Sequence, residues 1–317
     1  MKRYDWYNEI HRLDAEADCR RIAQILSAHE FPWDIMQALG LALYRTYAAP
    51  SIGELLGETR EFTTRTQYRY DDTAIILDQI LEHGFEPGPG RDSLRRMNQM
   101  HRSYDISNED YQYVLSTFVV MPVRWINDWG FGWRRLSDHE IAANTNYYRR
   151  LGRHMAIKEI PETYAEFLDL FESYEQANFG YSEGGRAVAD STLKLMIEFY
   201  PKWQRPIMRP FMMGLLDDRL VRAFRYDEPS RFWRAAAHAS LKARARVVRF
   251  LPPRDKPQWA RMSPNIKSYP DGFDPNRIGT FPKGCPVPHD LATVEVAETG
   301  ARVPAPGQAV PPAADRS

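Results

Sequence analysis

Up to about residue 250, apolar residues recur at steps of three and four, the spacing of one face of an α-helix. No strand-like alternation persists for more than a few residues, and there is no glycine-rich phosphate loop or internal repeat. Across 14–29, Ala17, Ile22, Ile25 and Leu26 share a helical face. In 35–47, after a Phe-Pro break, Met36, Leu39, Leu43 and Tyr47 do the same. A long mixed helix is expected over 54–82, ending at Gly84, then a Pro-Gly-Pro-Gly turn over 87–90 and a helix over 91–104. Ser107 and Asp110 have capping-box spacing. Behind them runs a strongly apolar helix containing Val114, Leu115, Phe118, Val119, Trp125 and Ile126. Pro122 is expected to kink it, because proline removes a backbone hydrogen bond and crowds the preceding turn. Further helices are expected over 137–151, 163–178, 185–199, 209–216 and 229–250, with a short turn over 220–223. The fold class is therefore all-α.

The texture changes at Leu251. Thirteen of the 23 prolines fall between Pro252 and Pro312, mixed up to 282 with Trp259, Tyr269, Phe273 and Phe281. That mixture predicts an ordered irregular wrap. After Gly284 the aromatics cease, so the expected organisation is one large helical domain over 1–283 and a disordered tail over 284–317.

Composition narrows the function classes. With 42 basic and 42 acidic residues among 317, nothing points to a nucleic-acid partner. The two cysteines, Cys19 and Cys285, form neither a disulfide framework nor zinc-ligand spacing, and fit a reducing, cytoplasmic setting. No apolar run reaches membrane-span length, although peripheral membrane contact stays open. The eight histidines show no HExxH spacing. That disfavours a protein-built zinc site and leaves room for an organic cofactor held by one histidine.

Arg69, Asp72 and Thr73 stand at i, i+3 and i+4, so a helix places them on one face. His101 follows on a helix whose face it shares with Met97, Met100 and Tyr104. Each group also has a purely structural reading, as a surface ion pair and as a satisfied core histidine. Tyr174, Asn178, Tyr181 and Glu183 either line a pocket mouth or join two helices.

Several stretches resemble a known family: His101-Arg-Ser-Tyr-Asp-Ile-Ser-Asn-Glu-Asp-Tyr-Gln-Tyr-Val-Leu-Ser-Thr-Phe118, Pro122-Val-Arg-Trp125, Phe131-Gly-Trp-Arg-Arg-Leu136 and Tyr174-Glu-Gln-Ala-Asn-Phe-Gly-Tyr-Ser-Glu183. Leu251-Pro-Pro-Arg254 and Gly279-Thr-Phe-Pro282 add to them. The family is that of the fungal endoplasmic-reticulum oxygenase of mycophenolic acid biosynthesis, which shares a catalytic domain with bacterial latex-clearing rubber oxygenases. The resemblance spans about 30–285. It implies an all-helical protein that holds haem b through one proximal histidine and uses O2 to cleave a carbon–carbon double bond in a hydrophobic, prenyl or terpenoid, substrate.

By this resemblance His101 is the iron ligand. Arg69-Tyr-Asp-Asp72-Thr73 corresponds to an Arg-x-x-Lys-Thr motif of the rubber oxygenases, with Asp72 in the lysine position. Arg69, Asp72 and Thr73 become the catalytic candidates, and Arg65, Arg69, Thr73 and Arg124 the candidates to hold haem propionates. Asp72 either serves as a base facing dioxygen or forms a salt bridge with Arg69. Two further readings stand beside the alkene-cleaving oxygenase. One is a haem-dependent oxidase, hydroxylase or peroxidase; the other is a helical haem or interaction protein without catalysis, which the loss of the lysine would favour.

Overall fold

The computed structural model describes residues 1–279, and among them every regular element is a helix. The all-α expectation therefore holds. The chain sorts into two compact units, the first built from 1–66 and 105–258, the second from 67–104 and the described residues from 259 onward. The tail expected over 284–317 lies outside the described residues.

The first unit opens with α1 (Asp5–Ile10), α2 (Cys19–Ile25), α3 (Pro32–Thr46), α4 (Pro50–Thr59) and α5 (Glu61–Thr64). The second contributes α6 (Thr66–His83) and α7 (Pro89–His101). The first unit resumes with α8 (Asn108–Val123), α9 (Asp138–His154), α10 (Tyr164–Asn178) and α11 (Glu183–Glu198). It ends with α12 (Arg205–Met213), α13 (Asp218–Ala223) and α14 (Arg231–Arg249).

Three local departures from the sequence reading have identifiable causes. The 14–29 segment becomes a helix only at Cys19, because the Asp14 carboxylate accepts the Glu16 and Ala17 N–H groups at 2.9 and 2.7 Å and fixes a turn. The single helix expected over 54–82 is three helices, broken at Arg60, which takes a left-handed φ of 56°. The Arg60 carbonyl accepts the Thr63 and Thr64 N–H groups as α5 begins, and the hydroxyls of both threonines donate to it as well. The proline turn over 87–90 is shorter than expected, since Pro89 already starts α7, where its missing N–H leaves no bond unmade.

Other signals were read as they occur. Ser107 caps α8 by accepting the Asp110 N–H, although the Asp110 carboxylate answers Ser51 and Tyr174 instead of closing a capping box. Pro122 lies inside α8, and the chain then widens into a π-turn, Arg124–Asp128.

In the first unit α8 is central, packed by α3, α9 and α10, while α4 lies along α11. The α4–α11 contact is close enough that a Cβ on Gly57 would lie 2.6 Å from Gly184 Cα. An aromatic cluster that includes Tyr44, Tyr47, Phe62, Phe224 and Tyr226 fills the space beside them. Two buried ion networks lock this unit. Arg45 (1% exposed) meets both oxygens of Glu175 (0% exposed) in a fork and also pairs with Asp217, and the Tyr113 hydroxyl donates to Glu175. Arg134 bridges two fully buried carboxylates, Glu30 at 2.7 Å and Glu140 at 2.6 Å.

Candidate functional site

The second unit is built around an exchange of hydrogen bonds. After Trp259 the chain carries Pro264, Pro270 and Pro275, which forbid a continuous helix, and only a short 3-10 turn, Ala260–Met262, forms. Backbone N–H groups left without a ladder must find acceptors elsewhere, and carboxylates of α6 provide them. Asp71 Oδ2 accepts from Lys267 N at 2.9 Å, Ser268 N at 2.8 Å and Ser268 Oγ at 2.6 Å. Gln67 Nε2 ties Asp71 Oδ1 to the Asn265 carbonyl, and Asp78 Oδ2 accepts Arg261 N at 2.8 Å. The proline-rich stretch is thus an ordered irregular wrap up to 279, as its aromatics suggested.

Asp78 carries a consequence for pH. Burial, opposed by the Arg261 N–H and guanidinium, lifts its carboxyl from 3.8 to about 7. Between those values the native state holds a proton that the unfolded chain has released. The associated stability is therefore full below about pH 4 and lost as pH rises through about 7. Asp78→Asn is expected to flatten this part of the profile, so that the thermal midpoint falls less between about pH 5 and about pH 8 than in the wild type.

Asp72 differs from its neighbours. It is fully buried, its Oδ1 accepts the Tyr269 hydroxyl, and its Oδ2 has no hydrogen-bond partner. Burial raises its pKa to about 6, against the opposing effects of the Tyr269 hydrogen bond and the Arg69 charge. The wrap delivers the Tyr269 phenol to the carboxylate, and Arg69 acts on it through its field. Thr73 Oγ1 donates to the Arg69 carbonyl at 3.0 Å, one turn back along α6.

His101 ends α7. Burial, and then the charge of Arg69, press its pKa from 6.5 down to about 4. The imidazole is therefore neutral throughout the neutral range, the form whose nitrogen lone pair can bind a metal. The wrap passes close beside it: Gly279, at φ 91°, comes so near Met100 that a Cβ would lie 2.2 Å from its sulfur. Arg69 exerts its charge on both Asp72 and His101, so the structure brings these three candidates into one electrostatic neighbourhood. A cleft of about 290 Å³ opens in the same unit, lined by apolar Ile75, Ile266 and Phe273 and by Tyr269 and Arg261.

The remaining sequence candidates belong to the first unit. Arg65 follows α5. Arg124 is paired with Glu172 and lies 4.9 Å over the Phe171 ring, within the network around Arg45 and Arg219. The family-like stretch from Tyr174 serves structure: Tyr174 stacks on Tyr113 at 4.1 Å, Asn178 binds the Tyr174 carbonyl, and Arg225 covers Tyr181. Sequence reasoning missed Tyr269 as a site residue. Its only signal was an aromatic within the proline-rich wrap.

Among the described residues no three His, Cys, Asp or Glu side chains gather to hold a metal ion.

A family model described as "ER-bound oxygenase mpaB/B'/Rubber oxygenase, catalytic domain" matches residues 29–250, a span that contains α6 and α7 entire. The chain is 31% identical over 263 residues to the ER-bound oxygenase mpaB' of Penicillium brevicompactum, covering 77% of this chain and 61% of that protein. It is 30% identical over 217 residues to the ER-bound oxygenase mpaB of Penicillium roqueforti, covering 63% and 72%. With mpaB of Penicillium brevicompactum the figures are 29% over 253 residues, 77% and 60%. The chain thus spans about three fifths of the length of two of these curated relatives.

Proposed function

The chain belongs to the family of ER-bound and rubber oxygenases that share this catalytic domain, and from that premise we propose that it is an oxygenase holding haem b through His101. The proposed reaction is O2-dependent cleavage of a carbon–carbon double bond in a hydrophobic, prenyl or terpenoid, small molecule. The observation that carries the reading is the buried imidazole at the end of α7, held neutral by burial and by the charge of Arg69.

When bound, haem would supply an iron that binds and activates O2, with His101 as the residue to hold it. The chain's own residues would do the rest. His101 offers its lone pair without first losing a proton. Arg69, whose guanidinium can grip a carboxylate with two parallel hydrogen bonds, is the first candidate to hold a propionate, with Thr73 and Arg65 beside it in sequence. Arg124, the remaining candidate, is already paired with Glu172 in the first unit. Asp72, near pKa 6 and anchored at Oδ1 by Tyr269, can hold or release a proton at Oδ2 close to neutral pH.

In a second reading haem is retained but the oxidation is hydroxylation or peroxidation; Asp72 in the place of the rubber oxygenases' lysine favours instead a helical haem or interaction protein without catalysis. Product analysis separates the two oxidations. Incubating the purified chain with O2 and a prenylated aromatic compound is expected to give two carbonyl fragments by mass spectrometry. A single product carrying one added oxygen would replace cleavage by hydroxylation.

Among the described residues no helix is long and apolar enough to cross a membrane. The relatives named above are described as ER-bound, so the compartment of this chain stays a proposal.

A further inference from the structure

Helix α14 has two apolar faces. One is buried and consists of Ala237, Leu241, Ala245 and Val248. The opposite face lies in solvent: Phe232, Ala235, Ala239, Ala243, Val247 and Phe250 follow at steps of three or four, and all six are exposed. The large side chains of this stripe are far from buried, at 69% for Phe232, 62% for Val247 and 85% for Phe250. At 1.5 Å per residue the stripe runs roughly 27 Å, with an aromatic ring at each end.

The charge around it is one-sided. Residues 229–254 contain seven basic residues and no acidic one, in a chain whose total charges cancel. Arg234 and Arg244 are paired with Asp218 and Asp34. Arg231, Lys242 and Arg249 are exposed and, at i, i+11 and i+18, form a row along one edge of the apolar stripe, while Arg246 rises within it.

We propose that the outer face of α14 lies in the plane of an anionic phospholipid surface. The phenylalanines and Val247 enter the boundary of the acyl region, and the row of cations meets the headgroup phosphates. An apolar stripe with aromatic residues, bordered by long basic side chains that reach sideways to the polar layer, is the pattern of a helix bound at a membrane interface. A second copy of this chain fits the face less well. Antiparallel pairing of two copies about a two-fold axis sets the cationic row near its own image, with no acidic residue in 229–254 to answer it. The inference stands apart from the haem reading and assigns the membrane contact to a named surface.

Vesicle co-sedimentation of the full chain tests it, with neutral phosphatidylcholine vesicles set against vesicles also containing phosphatidylserine. Binding is expected to the anionic vesicles alone and to weaken with added salt. Neutralising Arg246 and Arg249 together (Arg246→Gln, Arg249→Gln) is expected to weaken it by about 25-fold, about fivefold for each cation. Phe232→Ser with Phe250→Ser is expected to abolish it at unchanged circular dichroism. The proposal is overturned if the chain ignores both vesicle types, if the serine variant binds as well as the wild type, or if size exclusion shows a dimer that the serine variant breaks.

Discussion

Arg45→Ala is expected to lower the free energy of unfolding by about 3–5 kcal/mol, the cost of leaving a buried carboxylate without its counter-ion. Glu175 is fully buried, and its only guanidinium fork comes from Arg45; the Tyr113 hydroxyl and the longer contact from Arg219 at 3.5 Å remain, and neither replaces that fork. Asp217 is different, being 37% exposed, so water can take over part of its pairing. The double variant Arg45→Met, Glu175→Gln is therefore expected to be more stable than Arg45→Ala, because it removes the stranded charge with the partner. Urea unfolding followed by tryptophan fluorescence reads both. A loss below about 1 kcal/mol in Arg45→Ala would show that the network contributes little beyond its own desolvation cost.

The second large effect is chemical. His101→Ala is expected to abolish haem retention and oxygenase turnover while leaving helicity unchanged, because the substitution falls on the last residue of α7 and alanine is a good helix former. Asp72→Asn is the contrasting variant: it keeps the shape and the Tyr269 hydrogen bond but removes the titrating proton. It is expected to retain the group and to lose the part of the pH–rate profile that lies near pH 6. A His101→Ala protein that keeps the group with an unaltered spectrum would remove His101 from the ligand role.

Local signals were read well from sequence and long-range ones poorly. Ser107 was legible as the cap of α8 because a cap and the N–H it accepts lie within one turn, and that cap forms. Arg60 carries no such mark. Its left-handed break within an apparently continuous periodicity depends on threonine hydroxyls that are equally at home inside a helix. The Arg45–Glu175 fork joins residues 130 apart, and neither helix displays the charge of the other. The same holds at the candidate site. Arg69, Asp72 and Thr73 were placed on one helix by spacing, but the partner of Asp72 arrives 197 residues later on a segment without periodicity. Residues that carried the family resemblance, such as Arg134 and Glu175, turn out to hold the first unit together, which is why they signal the fold more directly than the chemistry.

The most direct test of the account is the absorption spectrum of the purified full chain, oxidised and then reduced, after reconstitution with haem b. A single neutral histidine ligand predicts an intense Soret band that shifts on reduction and is lost in His101→Ala. A wild-type protein that takes up no haem, and shows no visible absorption in either state, would contradict it.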